Sequence, residues 1–227
     1  MAQAELNAAI DALIGAEPKF GKAVERVGYP EPRSRTPGYE TLLRTIIGQQ
    51  VSVKAAASIW AKLAAGLGDM TRPDILLSAD PETLRGFGLS RQKQGYAVSL
   101  AQLVSAGELD LLNLPKEDEE AIALLTRVKG IGRWSAEIYL MFAEGRPDIW
   151  PAGDLAVQIE IGRLFGMEGR PSERAIRDIA EPWRPHRSAA AILAWHQYHI
   201  QAISRAVEGD ATRLAASNSS SAARAFR

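Results

Sequence analysis

Apolar residues recur at helical spacing over most of the chain, and no stretch sustains the alternation of a half-buried strand. The segment ELNAAIDALIGAEPKFGKAVERVG predicts a helix ending near Gly15 and a second, shorter helix behind it. GYPEPRSRTPG follows, with three prolines and two glycines, and predicts an extended connection. From Tyr39, YETLLRTIIGQQVSVKAAASIWAKLAAGLG predicts two helices broken between Gly48 and Ser52. Ser52 is placed to cap the second, which stops at Gly66 and Gly68. DPETLRGFG predicts a short helix with Asp80 as cap and Pro81 at the first position. SRQKQGYAVSLAQLVSAG and KEDEEAIALLTRV supply two more amphipathic helices, and the chain is expected to be all-α.

The Pro-rich connection and the Gly145–Pro151 turn region bracket a central block. That pattern predicts a middle helical domain over 38–146 and a second helical domain made from both chain ends, 1–37 and 147–208. The Ser- and Ala-rich stretch over 209–227 reads as a flexible tail.

Composition narrows the chemistry. With 227 residues, 46% of them hydrophobic and 24% charged, the profile is that of a soluble globular protein with a genuine core. The absence of cysteine excludes disulfides, thiolate zinc sites and iron–sulfur clusters. His196 and His199 could share a helix face, but with His186 they are too few to favour a metal enzyme, and no metal is expected. The start, MAQAELNAAI, lacks the basic and apolar regions of a signal peptide, and no apolar run is long enough to span a membrane. A cytoplasmic protein with no membrane partner is therefore expected. Net charge is zero, yet its distribution is uneven. Basic residues dominate from Arg26 to Lys62 and acidic ones from Glu108 to Glu120, which permits a basic face opposite an acidic one.

One stretch concentrates the candidate chemistry: VKGIGRWSAEIYLMFAEGRPDIWPAGDLAVQ, from Val128 to Gln158. A helix ending near Val128 is followed by Lys129-Gly130-Ile131-Gly132, and another begins at Arg133, Trp134 and Ser135. The two glycines allow positive φ and close approach of backbone to a ligand. Free amides at the start of the second helix favour an anion such as phosphate. A plain interhelical turn is the simpler reading, and the flanking Lys129 and Arg133 favour the phosphate. Asp154 stands at the N-cap of the next helix, where amide donors and the helix dipole keep a carboxylate ionised. A structural cap and a carboxylate facing positive charge on a sugar are compatible roles.

The hairpin followed by PAGD resembles the helix-hairpin-helix/Gly-Pro-Asp superfamily of DNA glycosylases. Within it the chain is similar to the bacterial 3-methyladenine DNA glycosylase II group, with further matches in IIGQQVSVKAAASIW and PWRPHRSAAAILAW. The resemblance covers roughly Thr36 to His199. It implies two helical domains with a DNA-binding cleft between them and Asp154 as the catalytic carboxylate. Trp134 stands where lyase members carry a Schiff-base lysine, which implies a monofunctional enzyme, and it also resembles a pocket aromatic. Trp195 matches a second pocket aromatic, and core packing on a C-terminal helix is its other reading. Gln50 falls where the family inserts a wedge into the gap left by a flipped nucleotide. Ile138 and Leu155 stand where the group has pocket tyrosines, so the pocket loses π-surface and gains width. The sequence writes Pro-Ala-Gly-Asp rather than the usual Pro-x-Asp. The partner implied is double-stranded DNA with alkylated bases, gripped through Gln50, Lys129, Gly130, Gly132, Arg133 and Ser135 by a monomer without a cofactor.

Overall fold

The computed structural model describes residues 1–204, so the tail predicted over 209–227 lies outside the described residues. Every regular element among them is helical, and two compact units emerge. Unit 1 is Met1 with Arg33–Pro151, and unit 2 joins Ala2–Pro32 to the chain from Ala152 onward.

Unit 2 opens with α1 (Gln3–Ala16), which buries Leu6, Ala9, Ile10 and Leu13 at helical spacing. α2 (Lys19–Val27) adds Phe20 and Ala23. Unit 1 begins in an extended segment that leads into α3 (Tyr39–Gly48), a turn, and α4 (Val53–Leu67). Ser52 caps α4 by accepting from the Ala55 amide at 3.2 Å, and Gly68 ends it, both as the sequence predicts. Inside α4, Gly66 admits the ring of Phe87, which a Cβ would meet at 2.2 Å. α5 (Pro73–Ser78) went unread in the sequence because its one turn buries only Leu76. α6 (Pro81–Gly86) follows its Asp80 cap, and α7 (Arg91–Ser105) its Ser90 cap. α8 (Asp118–Leu125) and α9 (Arg133–Phe142) flank the hairpin.

Unit 2 resumes with α10 (Leu155–Leu164), α11 (Glu173–Ile179), a 3₁₀ turn at Glu181–Trp183, and α12 over 187–204. Its core is aromatic: Phe20 meets Trp183 edge-on at 4.9 Å between centroids, and Phe165 lies 5.6 Å from Trp183. Small residues let α12 sit deep, with Ala189, Ala190 and Ala191 fully buried. At the buried side of α10, Glu160 pairs with Arg163 at 2.6 Å and accepts from Gln201 at 2.9 Å.

The unit boundaries differ from those predicted at 37/38 and 146/147. Residues 33–37 join unit 1 because the Arg35 amide donates to the Phe142 carbonyl at 2.7 Å and the Thr41 hydroxyl holds Thr36 at 2.6 Å. Residues 147–151 also belong there, with Ile149 and Trp150 buried. Prolines and glycines mark where regular structure stops, not where packing does.

Candidate active site

In unit 1 the hairpin starts earlier than its sequence implies. α8 ends at Leu125, and three turn bonds carry the chain onward: Thr126 to Ile122 (2.9 Å), Val128 to Leu125 (3.1 Å) and Ile131 to Val128 (3.0 Å). Val128 and Ile131 are buried and tie the hairpin to the core. The two glycines do different things. Gly130 has φ +82°, and a Cβ there would lie 2.2 Å from the Tyr96 ring. Gly132 has an ordinary φ of −89° with nothing within 4 Å of a built Cβ, so of the two glycines that allow positive φ only Gly130 takes it. What Gly132 contributes is bare backbone at the N-cap of α9, a helix with no side-chain cap.

The predicted DNA contacts sort themselves similarly. Lys129 is exposed, while its amide donates to the buried Ser99 hydroxyl at 3.1 Å. Arg133 turns to two carboxylates, Glu119 at 2.8 Å and the buried Glu137 at 2.9 Å. With its charge matched in this way, the part of Arg133 suited to an anion is its main-chain amide. Ser135 is buried, only 9% exposed.

Beside the hairpin lies a cavity of about 680 Å³ bordered by Gln49, Gln50, Lys93, Tyr96, Trp134 and Ile138, among others. Trp134 is 48% exposed, more than a ring whose role is hairpin packing would leave in solvent. Gln50 is exposed at φ +54°, the one non-glycine at positive φ among the described residues. Such a conformation is sparsely populated and persists where its surroundings hold it. Two contacts that sequence reasoning missed do so: Gln49 Nε2 donates to the Gly130 carbonyl at 2.8 Å, and Lys93 Nζ donates to the Ile47 carbonyl at 2.7 Å. Burial also lowers the pKa of Lys93.

In unit 2, Asp154 is the N-cap of α10 as expected, accepting from the Val157 amide at 3.0 Å. The indole N–H of Trp195 on α12 donates to the same oxygen, Oδ1, at 2.9 Å. Both donors meet the same oxygen and so fix the orientation of the carboxylate. Trp195 thus orients Asp154, a role that its placement in AILAW did not reveal. The Pro-Ala-Gly-Asp turn is held from inside, where the buried Gln158 amide donates to the Ala152 carbonyl at 2.8 Å. Leu155, one residue on, is 50% exposed. Among the described residues no group of three or more His, Asp or Glu side chains is placed to hold a metal, and His196 bonds the Val27 carbonyl at 2.9 Å.

An all-helical chain with a glycine-centred hairpin and a carboxylate at the cap of the following helix has the parts of a base-excision fold. The chain belongs to the HhH-GPD superfamily of base excision DNA repair proteins, whose model matches residues 43–185. Among its relatives, DNA-3-methyladenine glycosylase 2 of Escherichia coli is 30% identical over 188 residues, covering 77% of this chain and 64% of that protein. The crystal structure of a Bacillus halodurans DNA-3-methyladenine glycosidase superposes with a TM-score of 0.77 at 27% identity, covering 84% of this chain and 88% of that one. Schizosaccharomyces pombe Mag1, solved in complex with abasic DNA, gives a TM-score of 0.65 at 28% identity, covering 84% and 95%. The chain spans 58% of the length of one Bacillus subtilis relative, YfjP. Among the described residues no helix is long and apolar enough to cross a membrane.

Proposed function

We propose that the protein is a monofunctional DNA glycosylase that removes alkylated bases from duplex DNA and leaves an abasic site. The observation that carries this reading is the doubly held carboxylate of Asp154, with family membership defining the reaction class. Unit 1 offers a backbone grip at Gly130–Gly132, an exposed indole at Trp134 and a wedge at Gln50. A nucleotide must leave the stack before chemistry can reach its sugar, and Gln50 fills the vacated space.

The chemistry follows from the leaving group. A purine alkylated at N3 or N7 carries a formal positive charge and departs readily. As the C1′–N bond breaks, its electron pair neutralises the base and leaves oxocarbenium character on the sugar. Water forms the new bond at C1′ and loses a proton. Asp154 stabilises the developing positive charge from a prearranged position. Trp134 offers cation–π attraction, worth roughly 0.5–2 kcal/mol, which favours charged lesions over normal purines. Trp134 also stands in place of an amine nucleophile, so strand cleavage is not part of the reaction. Action is expected on nucleoid DNA in the cytoplasm, by a monomer, without a cofactor.

The test is release of free 3-methyladenine from methylated duplex DNA, repeated with Asp154→Asn. Asparagine also caps helices well, so fold and DNA binding should persist while excision is almost lost. No release by the wild type would sink the reading, and near-normal rates in the variant would remove Asp154 from the chemistry.

A further inference from the structure

Three side chains on one face of α7 each touch a different part of the proposed DNA-binding edge of unit 1. Lys93 donates to the Ile47 carbonyl at 2.7 Å, in the last turn of α3 and at the root of the Gln50 turn. Helix C-terminal carbonyls lack partners within the helix and favour a cation there. One turn along α7, the Tyr96 ring lies against Gly130 in the hairpin. One turn further, the Ser99 hydroxyl accepts the Lys129 amide at 3.1 Å. The spacing of three residues places all of them on the same side of the helix. Gln49 closes the frame from the other direction, with its side-chain amide on the Gly130 carbonyl at 2.8 Å.

We propose that Gln49 and Lys93 are positioning residues that lock the Gln50 turn to the Gly130 hairpin, so that gripping the backbone and filling the gap left by an extruded base are one event. The proposal rests on the reading of the protein as a glycosylase with Gln50 as its wedge. Its physical content is preorganisation. A free loop would have to be ordered after the base has left, whereas a turn already fixed in the left-handed region carries Gln50 into place as the hairpin docks.

Gln49→Ala and Lys93→Met are the test variants, with a single 7-methylguanine placed opposite cytosine or opposite a tetrahydrofuran abasic analogue. Affinity for undamaged duplex should fall by less than about twofold. Single-turnover excision opposite cytosine should fall by tenfold or more, and opposite the analogue, where extrusion breaks no base pair, by less than about threefold. Equal losses on the two duplexes, or none on either, would overturn the coupling. Hydrogen exchange on the free protein reads the coupling independently of activity. In Gln49→Ala the Lys129 and Ile131 amides should exchange at least fivefold faster than in wild type, and unchanged exchange would also overturn it. Absence of base release by the wild type would instead overturn the glycosylase reading, leaving the exchange result to decide the coupling.

Discussion

Trp195 donates its indole N–H to Oδ1 of Asp154 at 2.9 Å, on the oxygen that also takes the Val157 amide at 3.0 Å. A hydrogen bond to a charged group is worth about 1.5–3 kcal/mol. Trp195→Phe keeps an aromatic ring and loses the donor, so single-turnover excision should slow by about tenfold to a hundredfold. Affinity for undamaged DNA should stay unchanged. Retention of full rate by the phenylalanine variant would mean that the indole N–H does not serve the reaction.

The hairpin glycines should part company on substitution. Gly130→Ala forces a Cβ into the Tyr96 ring at positive φ and should destabilise the fold by roughly 1–3 kcal/mol, read by urea unfolding. Gly132→Ala meets nothing within 4 Å at an ordinary φ, so stability should hold. DNA affinity should nevertheless fall for every sequence alike, because backbone contacts carry no base information. Unimpaired binding by Gly132→Ala would remove that backbone from the phosphate grip.

Incubation with abasic DNA and borohydride should trap no covalent adduct, since a tryptophan occupies position 134. Trapping at the level of a true lyase would point to another amine, and Lys129→Ala would then test the exposed lysine of the hairpin.

Two buried tyrosines give opposite expectations. The Tyr139 hydroxyl accepts from the Gly38 amide at 2.7 Å, so Tyr139→Phe leaves a donor unmet and should cost about 1–3 kcal/mol. The Tyr39 hydroxyl is buried with no hydrogen-bond partner, and Tyr39→Phe should be neutral or mildly stabilising. Burial, partly offset by the Gly38 amide, pushes the Tyr139 pKa up to about 12, and burial raises that of Tyr39 also. Above about pH 10 the unfolded chain loses these protons while the folded chain keeps them. Stability should therefore be intact below pH 10 and decline from there towards pH 12. The Phe variants should flatten that decline in melting curves recorded from pH 8 to 11.

Ile138 and Leu155 should leave the base less tightly bounded than tyrosines would. Several charged lesions, 3-methyladenine and 7-methylguanine first, should be excised, and uncharged hypoxanthine poorly. Single-lesion duplexes compared with Ile138→Tyr and Leu155→Tyr provide the check. A wild type confined to 3-methyladenine, with no narrowing in either variant, would defeat the argument.

The local features of this site were legible in the sequence. Ser52, Asp80 and Asp154 cap the helices that their spacing predicts, because a cap is decided within four residues. Contacts between distant segments were not. Trp195 reaches Asp154 across 41 positions and Gln49 reaches Gly130 across 81, and no local pattern encodes either. Arg133 read as a phosphate contact for the same reason: its partner Glu119 lies on the preceding helix, and only the folded hairpin brings them together. Gly132 resembles Gly130 in sequence, yet only Gly130 takes the positive φ.

Unit 2 is built from two separated lengths of chain, so its two halves become available at different times during synthesis. α1 and α2 precede unit 1 in the chain, but Phe20 must wait for Phe165 and Trp183 before its ring meets its aromatic partners. Unit 1, apart from Met1 one uninterrupted run, has all its residues out of the exit tunnel earlier and is free to fold while the first two helices remain without their core. The newborn chain therefore has the whole hairpin out of the tunnel before Trp195 is available to bond Asp154, and any truncation ahead of α12 leaves that carboxylate without its indole.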